Sequence, residues 1–213
     1  MELNDFFDEI YCINLEDRED RWLEVQEEFK KLNIKAKRFK AIKNENGALG
    51  CKQSHIKIIQ EAKDRNLKNI LIFEDDVKFV TVDDVHLVID STLKQLNDLN
   101  WNMFYLGASI HPELGIIEKV SNNILKTNFA YTTHAYAVNS NVFDYILTES
   151  LNNNSSIDVF YSEKVVGDLQ NSFVINPMIA IQNIGYSDIV KKEVDYYWFL
   201  KFFNILKKKF NID

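Results

Sequence analysis

The chain has 213 residues, of which 46% are hydrophobic and 13% aromatic, enough for a substantial core and too many for a disordered chain. Its formal net charge of −7 argues against general nucleic-acid binding. Two cysteines, Cys12 and Cys51, provide no disulfide framework and suit a reducing compartment, so we expect a cytoplasmic protein.

The first half of the chain alternates between strand and helix patterns. Strands are predicted at 9–15, 36–42, 69–73 and 103–107, and helices at 17–33, 51–66 and 82–96. A loop rich in glycine and asparagine is expected at 44–50, so that the second long helix begins near Gly50. Strands that alternate with helices at this spacing predict βαβ units and a mainly parallel sheet flanked by helices.

The second half is less regular. The segments 115–120 and 124–129 are short enough to pair as a β-hairpin, and 134–138 reads as a further strand. A helix with a polar start follows at 139–150.

Three consecutive acids, Glu74, Asp75 and Asp76, follow the apolar residues of the strand at 69–73. Like charges at this spacing repel, and a carboxylate that leaves water needs a partner. One interpretation is a solvated acidic turn. The other is a hard cation such as Mg²⁺ or Mn²⁺, because ligands of open α/β sheets bind at the carboxyl ends of the strands. A phosphotransferase with an aspartyl nucleophile would place Asp, not Glu, first after the strand.

Six segments, in order, resemble glycosyltransferase family 25, which includes bacterial lipopolysaccharide-chain transferases and collagen galactosyltransferases. The first three are INLEDREDRW from Ile13, GALGCKQSH from Gly47 and LIFEDDV from Leu71. The others are TTHAYAV from Thr132, SIDVFYSE from Ser156 and NPMIAIQNIGYSDI from Asn176. The resemblance covers about Tyr11 to Ile189.

The resemblance implies a GT-A-like, Rossmann-like fold and an inverting transferase. The enzyme would move a hexose, galactose in preference to glucose, from a UDP-sugar to a hydroxyl of a glycan, lipid-linked glycan or glycoprotein. The acidic triplet would be the DxD motif that serves Mn²⁺ or Mg²⁺, with Asp76 on the metal. Glu74 would contact the ribose or a metal-bound water, and Asp75 would support the turn or the nucleotide. The alternative is a noncatalytic protein that keeps the fold and binds the nucleotide sugar.

The resemblance also implies contacts to the donor. Asn14 and Leu15 would meet the uracil base, and Arg18 and Arg21 would reach the diphosphate unless they pair with neighbouring acids. The remaining donor contacts are implied for Ala41, Ile42, Ser54, His55 and Gln182. Core packing is the alternative for Ala41 and Ile42, and a structural role is the alternative for His55.

An inverting transferase needs one carboxylate base on the face opposite the leaving group. The resemblance makes Asp158 the candidate, because SIDVFYSE, which resembles the family's acidic segment, carries this acid at the start of a helical pattern; its alternative role is a helix N-cap. Ser187 and Asp188 would close the site beside Gln182. Cys51 and His55 are four residues apart, but with no second ligand pair we discount zinc.

The chain divides into a predicted transferase domain, 1–190, and an aromatic and basic helix within 191–213. The first residues lack the features of a signal peptide, and no apolar run approaches the ~20 residues of a membrane span. Aromatic residues and lysines lie on separate faces of the helix predicted at 195–210, which favours peripheral contact with a membrane surface. The alternatives are docking on the domain and docking on a second subunit to form a homodimer.

Overall fold

The computed structural model describes residues 1–183, 185–187, 192–194 and 198–212, with only the backbone described for 185–187, 192–194 and Phe199. The helices are α1 (Leu3–Phe6), α2 (Glu19–Lys31), α3 (Gly47–Asp64), α4 (Val85–Asn97), α5 (Phe143–Ser150), α6 (Ile157–Phe160) and α7 (Trp198–Lys209). A 3₁₀ turn (Ser140–Val142) leads into α5, and a wider π-helical stretch (Tyr161–Asp168) continues α6.

The strands are β1 (Glu9–Asn14), β2 (Lys37–Lys40), β3 (Asn69–Glu74), β4 (Val77–Phe79), β5 (Met103–Tyr105), β6 (Ile117–Lys119), β7 (Ile124–Thr127), β8 (Ala135–Asn139), β9 (Ser172–Ile175), β10 (Ala180–Gln182), β11 (Gly185–Ser187) and β12 (Lys192–Val194). Eight of them form one sheet in the order β2-β1-β3-β8-β5-β9-β7-β6. Only β8 and β7 run against the other six, so the predicted mainly parallel sheet is confirmed.

Helices cover both faces of this sheet. Successive residues of β3 alternate between two cores: Ile70 and Ile72 face the layer that contains α3, α5 and α7, and Leu71 and Phe73 face the layer that contains α1, α2 and α4. All four side chains are fully buried. A strand covered on both faces reads as a continuous apolar run, which is why this segment gives a clear strand signal.

The structure corrects the predicted loop at 44–50. Helix α3 begins at Gly47, because the Asn46 side chain accepts a hydrogen bond from the Leu49 N–H at 3.2 Å and caps the helix. Gly50 is required inside this first turn, since a Cβ there would lie 2.6 Å from the Ile42 carbonyl oxygen. Gly50 therefore permits close packing of a helix against Ile42 instead of forming a tight loop.

The predicted hairpin is present as the antiparallel pair β6 and β7, and the helix after β8 as the 3₁₀ turn and α5. The elements that sequence patterns did not predict are short. The most important is β4, which begins directly after the acidic triplet and pairs antiparallel with β10. This pairing places Gln182, the last residue of β10, beside Val77, close to the carboxyl end of β3.

Candidate active site

A cavity of about 600 Å³ opens where β1, β2 and β3 end. These strands are adjacent and parallel, so their carboxyl ends meet at one edge of the sheet, the usual ligand position in such folds. Apart from Ser187 and Asp188, the residues that the sequence predicts for the site all line the cavity: Asn14, Leu15, Arg18, Arg21, Ala41, Ile42, Ser54, His55, Glu74, Asp75, Asp76, Asp158 and Gln182. The structure thus brings them together, and their individual roles remain predictions.

The acids of the triplet have different partners. Asp75 accepts a hydrogen bond from Asn14 Nδ2 at 2.6 Å through Oδ2 and pairs with Arg21 at 3.2 Å through Oδ1. Burial raises the pKa of Asp75, and the bonds from Asn14 and Arg21 partly offset this. Asp75 is therefore held by the end of β1 and by α2, which fixes the turn that carries the triplet.

Glu74 is held by the other side of the cavity. Its Oε1 accepts a hydrogen bond from Thr133 Oγ1 at 2.5 Å and lies 3.3 Å from His55 Nε2. Burial acts to raise the pKa of Glu74, but the contacts to His55 and Thr133 lower it on balance. The other ring nitrogen of His55, Nδ1, lies 2.7 Å from the Tyr136 hydroxyl, so the orientation of the imidazole is set from within the core.

Asp76 is the least compensated acid. Its Oδ2 accepts a hydrogen bond from Gln182 at 3.2 Å, whereas its buried Oδ1 has no hydrogen-bond partner within the part of the chain that the structure describes. Burial, together with the charges of Glu74 and Asp75, raises the pKa of Asp76 to about 8. A buried carboxylate in this state suits a cation, because a positive charge would remove the cost of ionising it.

The polar atoms of Asn14 are used inside the protein. Besides the bond to Asp75, its Nδ2 donates to the Arg18 carbonyl oxygen at 3.0 Å, and its Oδ1 accepts from Arg38 Nε at 2.9 Å. Asn14 thus positions the triplet, while Leu15 continues the cavity wall. Arg18 forms an ion pair with Asp20 at 2.9 Å. Pairing with a neighbouring acid is the alternative that the sequence offered for this arginine.

Helix α3 forms one wall. The Ser54 hydroxyl donates to the Gly50 carbonyl oxygen at 2.7 Å and accepts from the Ile42 N–H at 2.8 Å, so it ties α3 to the segment after β2. Ala41 and Ile42 are both half-buried and line the cavity. Ala41 also packs against the core, so a contact to the donor and a role in core packing are compatible at this residue.

The structure adds a third residue to the Cys51 and His55 pair. Their ligand atoms and one oxygen of Glu74 all lie within 4.8 Å of one another. Burial raises the pKa of the Cys51 thiol well above its usual value, so the thiol is protonated at neutral pH. These three residues offer sulfur, nitrogen and oxygen atoms that zinc accepts, so the discount of zinc made from the sequence stays a prediction.

Asp158 also lines the cavity, from the first turn of α6. Its Oδ1 accepts hydrogen bonds from the Ser156 hydroxyl at 2.6 Å and from the Val159 N–H at 2.9 Å. The N-cap position belongs to Ser156, so the expected alternative role of Asp158 as the N-cap is wrong. Ser187 is described only in its backbone, and Asp188 lies outside the described residues.

Sequence reasoning missed three residues that shape the site. Lys52, which is buried, donates from Nζ to the Asn153 and Ser155 carbonyl oxygens and thereby holds the segment that precedes α6. Thr132 and Thr133 line the cavity, and Thr132 has a φ of 71°, a left-handed conformation that is rare for a β-branched residue. All three fall within the quoted motifs, but neither their burial nor their backbone conformation has a sequence signal.

A family model described as "Glycosyltransferase family 25 (LPS biosynthesis protein)" matches residues 45–198, more than half of the chain. The chain belongs to glycosyltransferase family 25. The match includes α3, the acidic triplet, Asp158 and Gln182, and family membership together with the observed sheet confirms the GT-A-like fold.

Curated relatives of this family 25 chain include procollagen galactosyltransferase 2 from Mus musculus, 27% identical over 169 residues, covering 62% of this chain and 26% of the relative. Another is the inactive glycosyltransferase 25 family member 3 from Homo sapiens, 31% identical over 93 residues, covering 43% of this chain and 16% of the relative. The chain thus matches about a quarter or less of the length of these relatives.

Among solved structures, A197 from STIV matches with a TM-score of 0.52 and 9% identity, over 87% of this chain and 92% of that one. At this identity the likeness shows a shared fold alone. A glycosyltransferase involved in the glycosylation of the major capsid of PBCV-1 matches with a TM-score of 0.49 and 15% identity, over 79% of this chain and 81% of that one.

Proposed function

We propose that this family 25 chain is a metal-dependent, inverting hexosyltransferase that uses a UDP-sugar donor. The acceptor is a hydroxyl of a glycan, a lipid-linked glycan or a glycoprotein. The observation that carries the proposal is Asp76, an acid buried at the wall of the cavity with one oxygen that lacks a hydrogen-bond partner among the described residues. A protein that only needed a stable turn would gain by replacing this acid with a neutral residue.

The residues fit a hard divalent cation. Asp76 and Glu74 offer carboxylate oxygens, which Mn²⁺ and Mg²⁺ prefer. Burial and the charges of Glu74 and Asp75 raise the pKa of Asp76 more than Arg21 and Gln182 lower it, so a cation would favour its ionised form. When bound, Mn²⁺ or Mg²⁺ supplies positive charge that stabilises the departing nucleoside diphosphate. Gln182 holds Asp76 Oδ2, which directs the other oxygen of this carboxylate away from the amide.

The donor would lie along the ends of β1 and β2. Leu15, Ala41 and Ile42 supply the apolar and backbone surface for the uracil base, and Asn14 positions the acids that surround the nucleotide. Arg18, which immediately precedes α2, and Arg21, in its first turn, would supply positive charge near the diphosphate. Glu74 would contact the ribose or a metal-bound water, and Thr133 and His55 orient its carboxylate.

Asp158 is the proposed catalytic base. Its Oδ1 is occupied by the bonds from Ser156 and Val159, whereas Oδ2 has no partner in the described part of the chain. The base would take the proton from the acceptor hydroxyl at Oδ2 as that oxygen forms its bond to the anomeric carbon and the bond to the diphosphate breaks. A direct displacement of this kind inverts the anomeric configuration.

Galactose is the favoured sugar, because the relative from Mus musculus is named a procollagen galactosyltransferase; glucose is second. Other relatives are named inactive family members, which favours a second candidate, a noncatalytic protein that binds the nucleotide sugar. The two candidates share the donor cavity and differ only in turnover.

Calorimetry with UDP and Mn²⁺ tests the donor site on the wild type, Asp76→Ala and the exposed control Asp83→Ala. We expect metal-dependent binding that Asp76→Ala abolishes and Asp83→Ala retains; equal binding by all three would remove the metal role. A screen of UDP-sugars for metal-dependent hydrolysis then separates the candidates. Turnover that Asp158→Asn reduces by orders of magnitude supports the enzyme, and binding without turnover supports the noncatalytic protein.

A further inference from the structure

Helix α7 presents a buried apolar face to the domain. Phe203 and Leu206 are almost fully buried in the core that also contains α3 and α5, and Leu200 and Phe210 pack against it. The structure therefore confirms that one side of α7 docks on its own domain. This face accounts for only part of the apolar residues of the helix.

A second apolar stripe of α7 reaches the surface. Trp198, Phe202, Ile205 and Lys209 follow one another at spacings of four, three and four residues, which places them on one side of the helix. Trp198 is 40% exposed and Ile205 is 43% exposed. The rings of Trp198 and Phe202 contact edge to face at 4.9 Å, so the stripe is continuous at this end.

The loop at 111–116 lies along this stripe. The His111 ring is 6.0 Å from the Phe202 ring, and Lys209 Nζ donates to the Pro112 carbonyl oxygen at 2.9 Å. The loop carries two of the most exposed apolar side chains of the protein, Leu114 and Ile116, at 60% and 56%.

Two hydrogen bonds fix the shape of this loop. One joins the Gly115 N–H to the His111 carbonyl oxygen at 2.7 Å, and the other joins the Ile116 N–H to Asn128 Oδ1 at 2.8 Å. The exposed side chains of Leu114 and Ile116 are thus presented by a defined turn.

The helix that carries the stripe is positively charged, and the 111–116 loop adds one acid, Glu113. Residues 198–212 contain four lysines and no acid, although the whole chain has a formal net charge of −7. Lys201 and Lys208 are exposed, and neither forms an ion pair with another described residue. Exposed apolar side chains beside unpaired lysines match a partner that has both an apolar layer and negative charge.

We propose that α7 and the 111–116 loop form an interfacial patch that binds the surface of an anionic lipid bilayer. Trp198, Ile205, Leu114 and Ile116 would enter the region between headgroups and acyl chains, and the lysines would contact the anionic headgroups. In the described residues, no helix has the length and apolarity to cross a membrane.

This patch is connected to the active-site edge of the sheet. The 111–116 loop follows β5, which runs in the same direction as β3, so both strands end at the edge where the cavity opens. An acceptor anchored in the bilayer would therefore lie on the side of the molecule that carries the acids. Binding of the bilayer itself does not depend on the proposed transfer reaction.

Vesicle flotation tests the proposal, with vesicles of phosphatidylcholine alone and of phosphatidylcholine mixed with phosphatidylglycerol. We expect the wild type to float with the anionic vesicles only, and added salt to reduce the bound fraction. Lys201→Glu with Lys208→Glu should lower binding about tenfold or more. Leu114→Ser with Ile205→Ser should lower it several-fold, whereas Leu151→Ser, at a residue that is 81% exposed elsewhere, should not.

Thermal unfolding verifies that each variant is folded, and light scattering reports the oligomeric state. A wild type that stays in the soluble fraction with anionic vesicles overturns the proposal. The proposal is also overturned if the wild type is a dimer that does not bind vesicles and the double variant Leu114→Ser, Ile205→Ser is a monomer. The patch would then bind a second copy of the chain. Calorimetric UDP binding is measured in parallel, so failure of the patch is distinguishable from failure of the donor site.

Discussion

Gln182 Nε2 donates a hydrogen bond of 3.2 Å to Asp76 Oδ2, although 106 residues separate the two in sequence. The contact depends on the pairing of β10 with β4, in which Gln182 lies opposite Val77, the residue after Asp76. Gln182 thus holds one oxygen of Asp76 and leaves the other, Oδ1, without a partner in the described residues. The consequences of this arrangement can be measured.

Asp76 should make the metal-free protein less stable as the pH rises. Its pKa is raised from 3.8 to about 8, so between these values the native state keeps a proton that the unfolded state has lost. The free energy of unfolding therefore falls with increasing pH in this window, by up to about 1.4 kcal/mol per pH unit. Asp76→Asn, which resembles the protonated form, should lose this part of the slope.

The measurement is urea unfolding in EDTA at several values from pH 5 to pH 8. The stability advantage of Asp76→Asn over the wild type should grow with pH, and the exposed control Asp83→Asn should follow the wild type. If the unfolding free energies of the wild type and Asp76→Asn changed in parallel with pH, Asp76 would be ionised at neutral pH and would have a partner.

Asn14→Asp should destabilise the protein strongly. The change replaces the amide that donates to Asp75 Oδ2 and to the Arg18 carbonyl oxygen with a second acid beside a buried carboxylate. We expect a loss of about 2–4 kcal/mol at neutral pH and a smaller loss in acid, where the new carboxyl group is protonated. Asn33→Asp is the matched control, since exposed Asn33 donates to Glu2 at 3.2 Å; similar unfolding free energies for both variants at pH 7 would contradict the role of Asn14.

Lys52→Met should loosen the segment that leads to Asp158. Lys52 Nζ donates to the carbonyl oxygens of Asn153 and Ser155, and its charge lies 5.1 Å from the centre of the Phe160 ring. Loss of these bonds should cost about 2–3 kcal/mol, because the acceptors stay partly buried. The control is Lys57→Met, at an exposed position of the same helix. Limited proteolysis should cut Lys52→Met first within 151–156, and an unchanged cleavage pattern would disprove the link.

Thr132→Ser should stabilise the protein. Thr132 has a φ of 71°, where a β-branched side chain crowds the backbone, and its Oγ1 lies 3.1 Å from His134 Nδ1. Serine keeps this hydroxyl and removes the methyl group, so we expect a gain of about 0.5 kcal/mol in urea unfolding. Asn66→Gly, at a φ of 56° that asparagine tolerates, should gain less. A loss of stability in Thr132→Ser would show that the threonine methyl group contributes more packing than strain.

The regular elements of the first half were predictable from sequence because each carries a local signal. Strand β3 is a run of apolar residues covered on both faces, and α2 places Val25 and Phe29 on one buried side. The start of α3 was misplaced because two glycines resembled a loop, whereas the Asn46 cap and the close approach of Gly50 to Ile42 require a helix there. Strands β4 and β10 have three residues each, too few for a periodic pattern.

The sequence by itself determined which acids, arginines and glycines the site contains, because the order and spacing of its motifs resemble one family. It also determined that an apolar strand ends at the acidic triplet. Only the tertiary structure decided that Asn14 and Arg21 hold Asp75 and that His55 and Thr133 hold Glu74. It also decided that Gln182 donates to Asp76 Oδ2, while Oδ1 has no hydrogen-bond partner among the described residues. The reason is that the charge state of an acid depends on burial and on partners many residues away, and neither leaves a local pattern in the chain.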